Sequence, residues 1–93
     1  MNDVYKISKV IEINKYINSR HASNLVVELD KINSCVHLGK FQSDSRQVNA
    51  KSIIGLLSLG LKLGDEIIIC VVNQNKEQCE NDMIKVLEIF KNL

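Results

Sequence analysis

Val48-Asn49-Ala50-Lys51-Ser52-Ile53-Ile54-Gly55-Leu56-Leu57-Ser58-Leu59-Gly60 packs the end of a strand, a turn and a whole short helix into one segment. Val48 and Asn49 close the strand, and Asn49 with Ala50 leads into the turn. Ser52 stands where a helix N-cap belongs, because its hydroxyl can accept a hydrogen bond from an otherwise orphan backbone N–H. Ile53, Leu56 and Leu57 follow at three- and four-residue spacing and share one helical face. Ile54 and Leu57, three apart, widen the apolar edge beyond what a single core stripe needs. Gly55 costs about 1 kcal/mol against Ala inside a helix, which predicts that another backbone or a partner comes close there. Gly60 ends the helix as a residue that takes positive φ cheaply. The segment has the outline of a docking and modification site.

Outward from it, the rest of the chain alternates between the two secondary-structure periods. Residues 4–13 put Tyr5, Ile7, Ile11 and Ile13 on one face and Lys6, Ser8 and Glu12 on the other, the pattern of a half-buried strand. Residues 14–18 are a polar loop pinned by Ile17. Ser19 can cap a helix running to about residue 31, with Ala22, Leu25, Val26 and Leu29 at helical spacing. Asn33-Ser34 breaks it. Residues 35–41 read as a second strand, with Val36 and Leu38 on one face and Cys35 and His37 on the other. A polar hairpin loop over 42–46 leads to a short third strand at 47–49. After the Ser52 helix, 60–65 is a tight connection with two glycines. Residues 66–73 are apolar on both faces (Ile67, Ile68, Ile69, Cys70, Val71, Val72) and belong in the centre of a sheet. Residues 76–91 form an amphipathic helix that buries Cys79, Met83, Val86, Leu87 and Phe90.

The order strand, helix, two strands, helix, strand, helix gives a two-layer α+β domain spanning residues 1–93. The expected core gathers Leu25, Val26, Leu29, Ile69, Val71, Met83, Leu87 and Phe90. Its 93 residues can bury a little over ~60% of the extended-chain surface without staples. A net charge of +1 gives no electrostatic case for nucleic acid or an anionic membrane as partner. The longest apolar run, 67–72, is far short of the roughly 20 residues that span a bilayer. No basic-then-apolar leader opens the chain, so a cytoplasmic location is expected. Cys35, Cys70 and Cys79 are odd in number and lack Cys-x-x-Cys spacing; they read as buried thiols, with no metal site and no cofactor implied.

Residues 49–60 closely resemble the regulatory-serine segment of the HPr family of sugar-phosphotransferase phosphocarriers. The resemblance covers nearly the whole chain. It implies an open-faced sandwich, a four-stranded antiparallel sheet covered by three helices (βαββαβα). It also implies that Ser52 is phosphorylated by an HPr-type serine kinase/phosphorylase, and that Lys51, Ile54 and Leu57 belong to an exposed anion- and partner-binding edge. A plain reading of the same residues leaves Ser52 as an N-cap only, and Ile54 and Leu57 as core. Ser45 and Ser58 read as solvated or capping hydroxyls.

Phosphocarriers of the family carry Gly-Leu-His-(Thr/Ala)-Arg-Pro-Ala-Ala, whose histidine accepts and donates the phosphoryl group. The matching segment here is Tyr16-Ile17-Asn18-Ser19-Arg20-His21-Ala22-Ser23. Asn18 holds the phosphoacceptor position, and His21 replaces the proline. An imidazole nitrogen offers a free lone pair, whereas the amide nitrogen of Asn18 has its pair delocalised into the carbonyl and is no nucleophile. Arg20 keeps its place and is either a retained anion-binding residue or a surface charge. His21 is the alternative phosphoacceptor, or else an exposed histidine. Three positions of displacement turn its ring around the helix, and phosphoryl transfer demands in-line positioning. The pattern is similar to the catabolite-repression HPr subgroup, which keeps the serine and lacks the histidine. That likeness implies a non-enzymatic module whose partners are the serine kinase and a LacI-type transcription regulator. Phosphotransferase-system enzymes are partners under the alternatives, a divergent phosphocarrier using His21 or a decoy that occupies transporter or kinase surfaces.

Overall fold

The computed structural model describes residues 3–41 and 46–93. Its elements are β1 (Tyr5–Glu12), α1 (Ser19–Leu29), β2 (Cys35–Lys40), β3 (Gln47–Asn49), α2 (Ile53–Ser58), β4 (Glu66–Asn73) and α3 (Lys76–Lys91). The strands form one antiparallel sheet in the order β1-β4-β2-β3. The run that is apolar on both faces is indeed central: Ile69 of β4 sits between Lys9 of β1 and Leu38 of β2.

Side chains alternate across the sheet, so Val36, Leu38, Ile67, Ile69 and Val71 meet the helices. From the helices come Ala22, Leu25 and Leu29 of α1, Leu56 of α2, and Cys79, Met83, Val86 and Phe90 of α3. Fully burying one such side chain contributes about 1.5–3 kcal/mol relative to leaving it in water. Val26 and Leu87, expected in this core, are only half-buried against its margin. Tyr5 is exposed, at the first residue of the edge strand β1.

Three sequence expectations need correction. Asn18, not Ser19, caps α1: its backbone is extended (φ −91°, ψ −177°) and Ser19 is already helical. The helix stops at Leu29, and Ile32 N–H donates to the Leu29 carbonyl in the turn that follows. Cys35 is exposed, because it opens β2 on the sheet face that the helices leave bare; Cys70 and Cys79 are buried as expected. Of the hairpin loop read over 42–46, all but Arg46 lies outside the described residues, Ser45 included.

A buried polar cluster was not legible in the sequence. Asp82 of α3 is 1% exposed and accepts from Ser34 N–H (3.0 Å), the Ser34 hydroxyl (2.6 Å) and Gln78 Nε2 (2.8 Å). Asn73 Nδ2 donates to the same hydroxyl at 2.9 Å. Buried charge is tolerated only when satisfied in this way, and the cluster pins α3 to the start of β2 and the end of β4.

Candidate functional site

Two helix N-termini carry the residues singled out from the sequence, and α1 packs against α2. At α1, Asn18 Oδ1 accepts from the His21 backbone N–H at 2.9 Å. The Asn18 carbonyl takes the first intrahelical bond, from Ala22 N–H at 2.9 Å. Oδ1 thus satisfies one of the four orphan donors of the helix end. Asn18 and Arg20 are both exposed, and among the described residues no carboxylate pairs with Arg20.

The His21 ring folds back toward the preceding loop, with Nδ1 2.9 Å from the Tyr16 carbonyl. A carbonyl only accepts, so the ring donates through Nδ1–H. The ring lines a groove between α1 and α3 whose walls include Glu28 and Glu88. Those carboxylates set an unfavourable field for a phosphoryl group on this histidine.

At α2, Ser52 Oγ accepts from Gly55 N–H at 3.1 Å, and its backbone is extended (φ −116°, ψ 120°). The hydroxyl is half-buried, and nothing among the described residues accepts its proton. Asn49 positions the turn: its carbonyl accepts from Ser52 N–H at 3.1 Å and its Oδ1 from Lys51 N–H at 2.9 Å. A Cβ at Gly55 would stand 3.2 Å from the Asn49 carbonyl oxygen and from Val48 Cβ, a tight fit that would make these neighbours give by a few tenths of an ångström. Here another backbone does come close. Gly60, at φ 58°, follows the helix in the left-handed region where glycine is favoured.

The other residues of this segment fall out differently. Lys51 Nζ donates to the Ile32 carbonyl at 2.5 Å, so the ammonium ties the turn to the end of α1 instead of standing free beside Ser52. Leu56 alone of the α2 apolar residues is fully buried. Ile54 is 82% exposed, and Ile53 and Leu57 are each about two-fifths exposed. The expected single face of Ile53, Leu56 and Leu57 therefore splits, because α2 is only six residues long and touches the core with one side. Tyr16 and Leu63 are also exposed, on two loops joined by Ile17 N–H to the Leu61 carbonyl at 3.3 Å. Neither was picked out from the sequence, since loop residues carry no periodicity to flag them. Among the described residues no group of His, Cys, Asp or Glu could hold a metal ion. No helix among them is long and apolar enough to cross a membrane.

A family model described as the PTS HPr component phosphorylation site matches residues 6–88. The HPr-like protein Crh of Bacillus subtilis is 34% identical over 62 residues, covering 67% of this chain and 69% of that protein. The phosphocarrier protein HPr of Borreliella burgdorferi is 26% identical over 86 residues, 92% of this chain and 96% of the other. Among solved structures, an HPr from Bacillus anthracis superposes with a TM-score of 0.74 at 23% identity, covering 90% and 95% of the two chains, a likeness of fold alone. The Bacillus subtilis catabolite-repression protein Crh, solved as a swapped dimer, superposes with a TM-score of 0.66 at 27% identity over 88% and 87%.

Proposed function

The chain belongs to the HPr family, to which its Crh-like and phosphocarrier relatives also point, and from that premise we propose that it is a regulatory member which is phosphorylated on Ser52 and carries no phosphoryl group on α1. It catalyses no reaction itself and works through protein–protein contacts in carbon catabolite regulation. One observation carries this: the phosphoacceptor position is filled by Asn18, whose amide has no free nitrogen lone pair and whose Oδ1 already caps α1, while the Ser52 hydroxyl is intact.

In the modification, Ser52 Oγ attacks the γ-phosphorus of ATP, loses its proton to a base of an HPr-type serine kinase/phosphorylase, and displaces ADP. The product carries about −1.5 to −2 charges at pH 7 and three acceptor oxygens. It sits at the positive end of α2, where a negative charge is worth about 0.3–1 kcal/mol, so the helix tightens instead of melting. The larger consequence is for partners. Ile54, Ile53 and Leu57 offer exposed apolar contact next to the new charge. A partner arginine gains about 1.5–3 kcal/mol per charge-assisted hydrogen bond, and two such bonds change affinity about a hundredfold or more. A LacI-type transcription regulator is the partner proposed to read the modified form, and the phosphotransferase-system enzymes are the partners disfavoured by it. Arg20 supplies a neighbouring cation for an acidic partner group.

The test is a titration of unmodified and kinase-treated protein against such a regulator by calorimetry. A hundredfold preference for the modified form is expected, lost in Ser52→Ala. Equal affinity of both forms removes the regulatory reading.

A further inference from the structure

Along the flank of α1, from His21 in its first turn to Glu28, this helix and the end of α3 enclose an open groove of about 360 Å³, lined by residues that include Asn24, Glu88 and Asn92. That volume lies within the range of small-molecule sites. Its floor is apolar: Leu25 is fully buried, and Ile89 and Leu93 are half-buried. Its walls are acceptor-rich. Glu28 and Glu88 face it from opposite helices. The His21 ring lies along the same wall, with its Nδ1–H committed to the Tyr16 carbonyl. Glu28 has one competitor, Lys31, through Oε2 at 3.1 Å, and both of those side chains are more than half exposed. An exposed pair of that kind is weak and readily exchanged.

An apolar floor between two carboxylate walls complements one chemical class. We propose that this groove binds a small aliphatic organic cation, a free primary amine or diamine, with its methylene stem on Leu25, Ile89 and Leu93 and its ammonium groups between Glu28 and Glu88. The site is independent of Ser52 phosphorylation. It makes α1 a bifunctional helix, with a partner-facing start and a ligand-binding flank.

The experiment is an amide NMR titration of the intact chain with 1,4-diaminobutane at low ionic strength, beside 1,4-butanediol as the uncharged stem. Saturable shifts confined to residues 21–28 and 88–93 are expected with the diamine and none with the diol. Glu28→Gln combined with Glu88→Gln removes two exposed charges without touching the core and should weaken binding tenfold or more. Asn92→Lys, which places a cation at the groove mouth, should compete in the same sense. Equal shifts with the diol, unchanged affinity in the double variant, or shifts centred on the acidic strand ends Glu12 and Glu66 overturn the proposal. So does binding of a lysine-bearing peptide with no response to the free diamine.

Discussion

The starts of α1 and α2 are built alike and can do different things. In each, an extended residue caps the helix with a side-chain oxygen that accepts from the backbone N–H three residues on: Asn18 to His21 at 2.9 Å, Ser52 to Gly55 at 3.1 Å. As structural elements the two caps are interchangeable. As chemistry they are not, because only Ser52 offers an oxygen that can attack phosphorus while keeping its place at the helix end. The two caps share one geometry whatever chemistry each side chain offers, so geometry alone is a poor witness to function.

The largest effect should come from restoring the missing atom. Asn18→His is expected to take the chain from no labelling by phosphoenolpyruvate and the general phosphotransfer enzyme to measurable acid-labile labelling, assisted by Arg20. Labelling of the unaltered chain at His21 would break the contrast between the two helix starts.

Next comes the anchoring of α2. Leu56→Ala should cost about 2–5 kcal/mol in denaturant unfolding, since that side chain is wholly buried. Ile54→Ala, at 82% exposure, should stay within about 0.5 kcal/mol. Similar losses from both would mean that α2 has no free edge for a partner.

The equivalence of the caps is sharpened by removing each one. Asn18→Ala and Ser52→Ala should each cost about 1 kcal/mol. A much larger loss at either helix would show that its cap does more than satisfy one amide.

The smallest effect is electrostatic. The Lys62 backbone N–H, against an opposing desolvation and with help from the Lys40 ammonium, holds the Asp65 carboxyl below its ordinary value. Asp65 closes the loop that leaves α2, and its backbone carbonyl accepts from Ile13 N–H at 2.7 Å, just ahead of the loop that enters α1. A lowered folded value means this stabilisation is complete above the ordinary 3.8 and fades as pH falls below it. Thermal melts should therefore show the unaltered chain above Asp65→Asn at neutral pH, with the gap closing in acid.

Much of this was visible in the residues alone. Period-two and helical spacing placed every element, and the two-sided apolar run placed β4 at the centre. Gly55 announced a close backbone approach that the Asn49 carbonyl supplies. What the pattern could not give was long-range pairing. Ser34 and Asp82, 48 residues apart, look like ordinary polar positions until the fold joins them. Lys51 looks like a free cation until the end of α1 arrives beside it. Asn18 and Ser19 compete for one cap on nearly equal propensity, and only backbone geometry decides between them.

The most direct test of the central claim is to expose the chain to both phosphoryl donors and locate the product. The protein would be incubated with an HPr-type kinase and ATP, and separately with phosphoenolpyruvate and the general phosphotransfer enzyme. Each product would then be analysed by intact mass and fragment mass spectrometry before and after acid treatment. The account predicts one acid-stable phosphoryl group, on Ser52, from ATP alone. An acid-labile group on His21 from phosphoenolpyruvate, with Ser52 unmodified by the kinase, would contradict it.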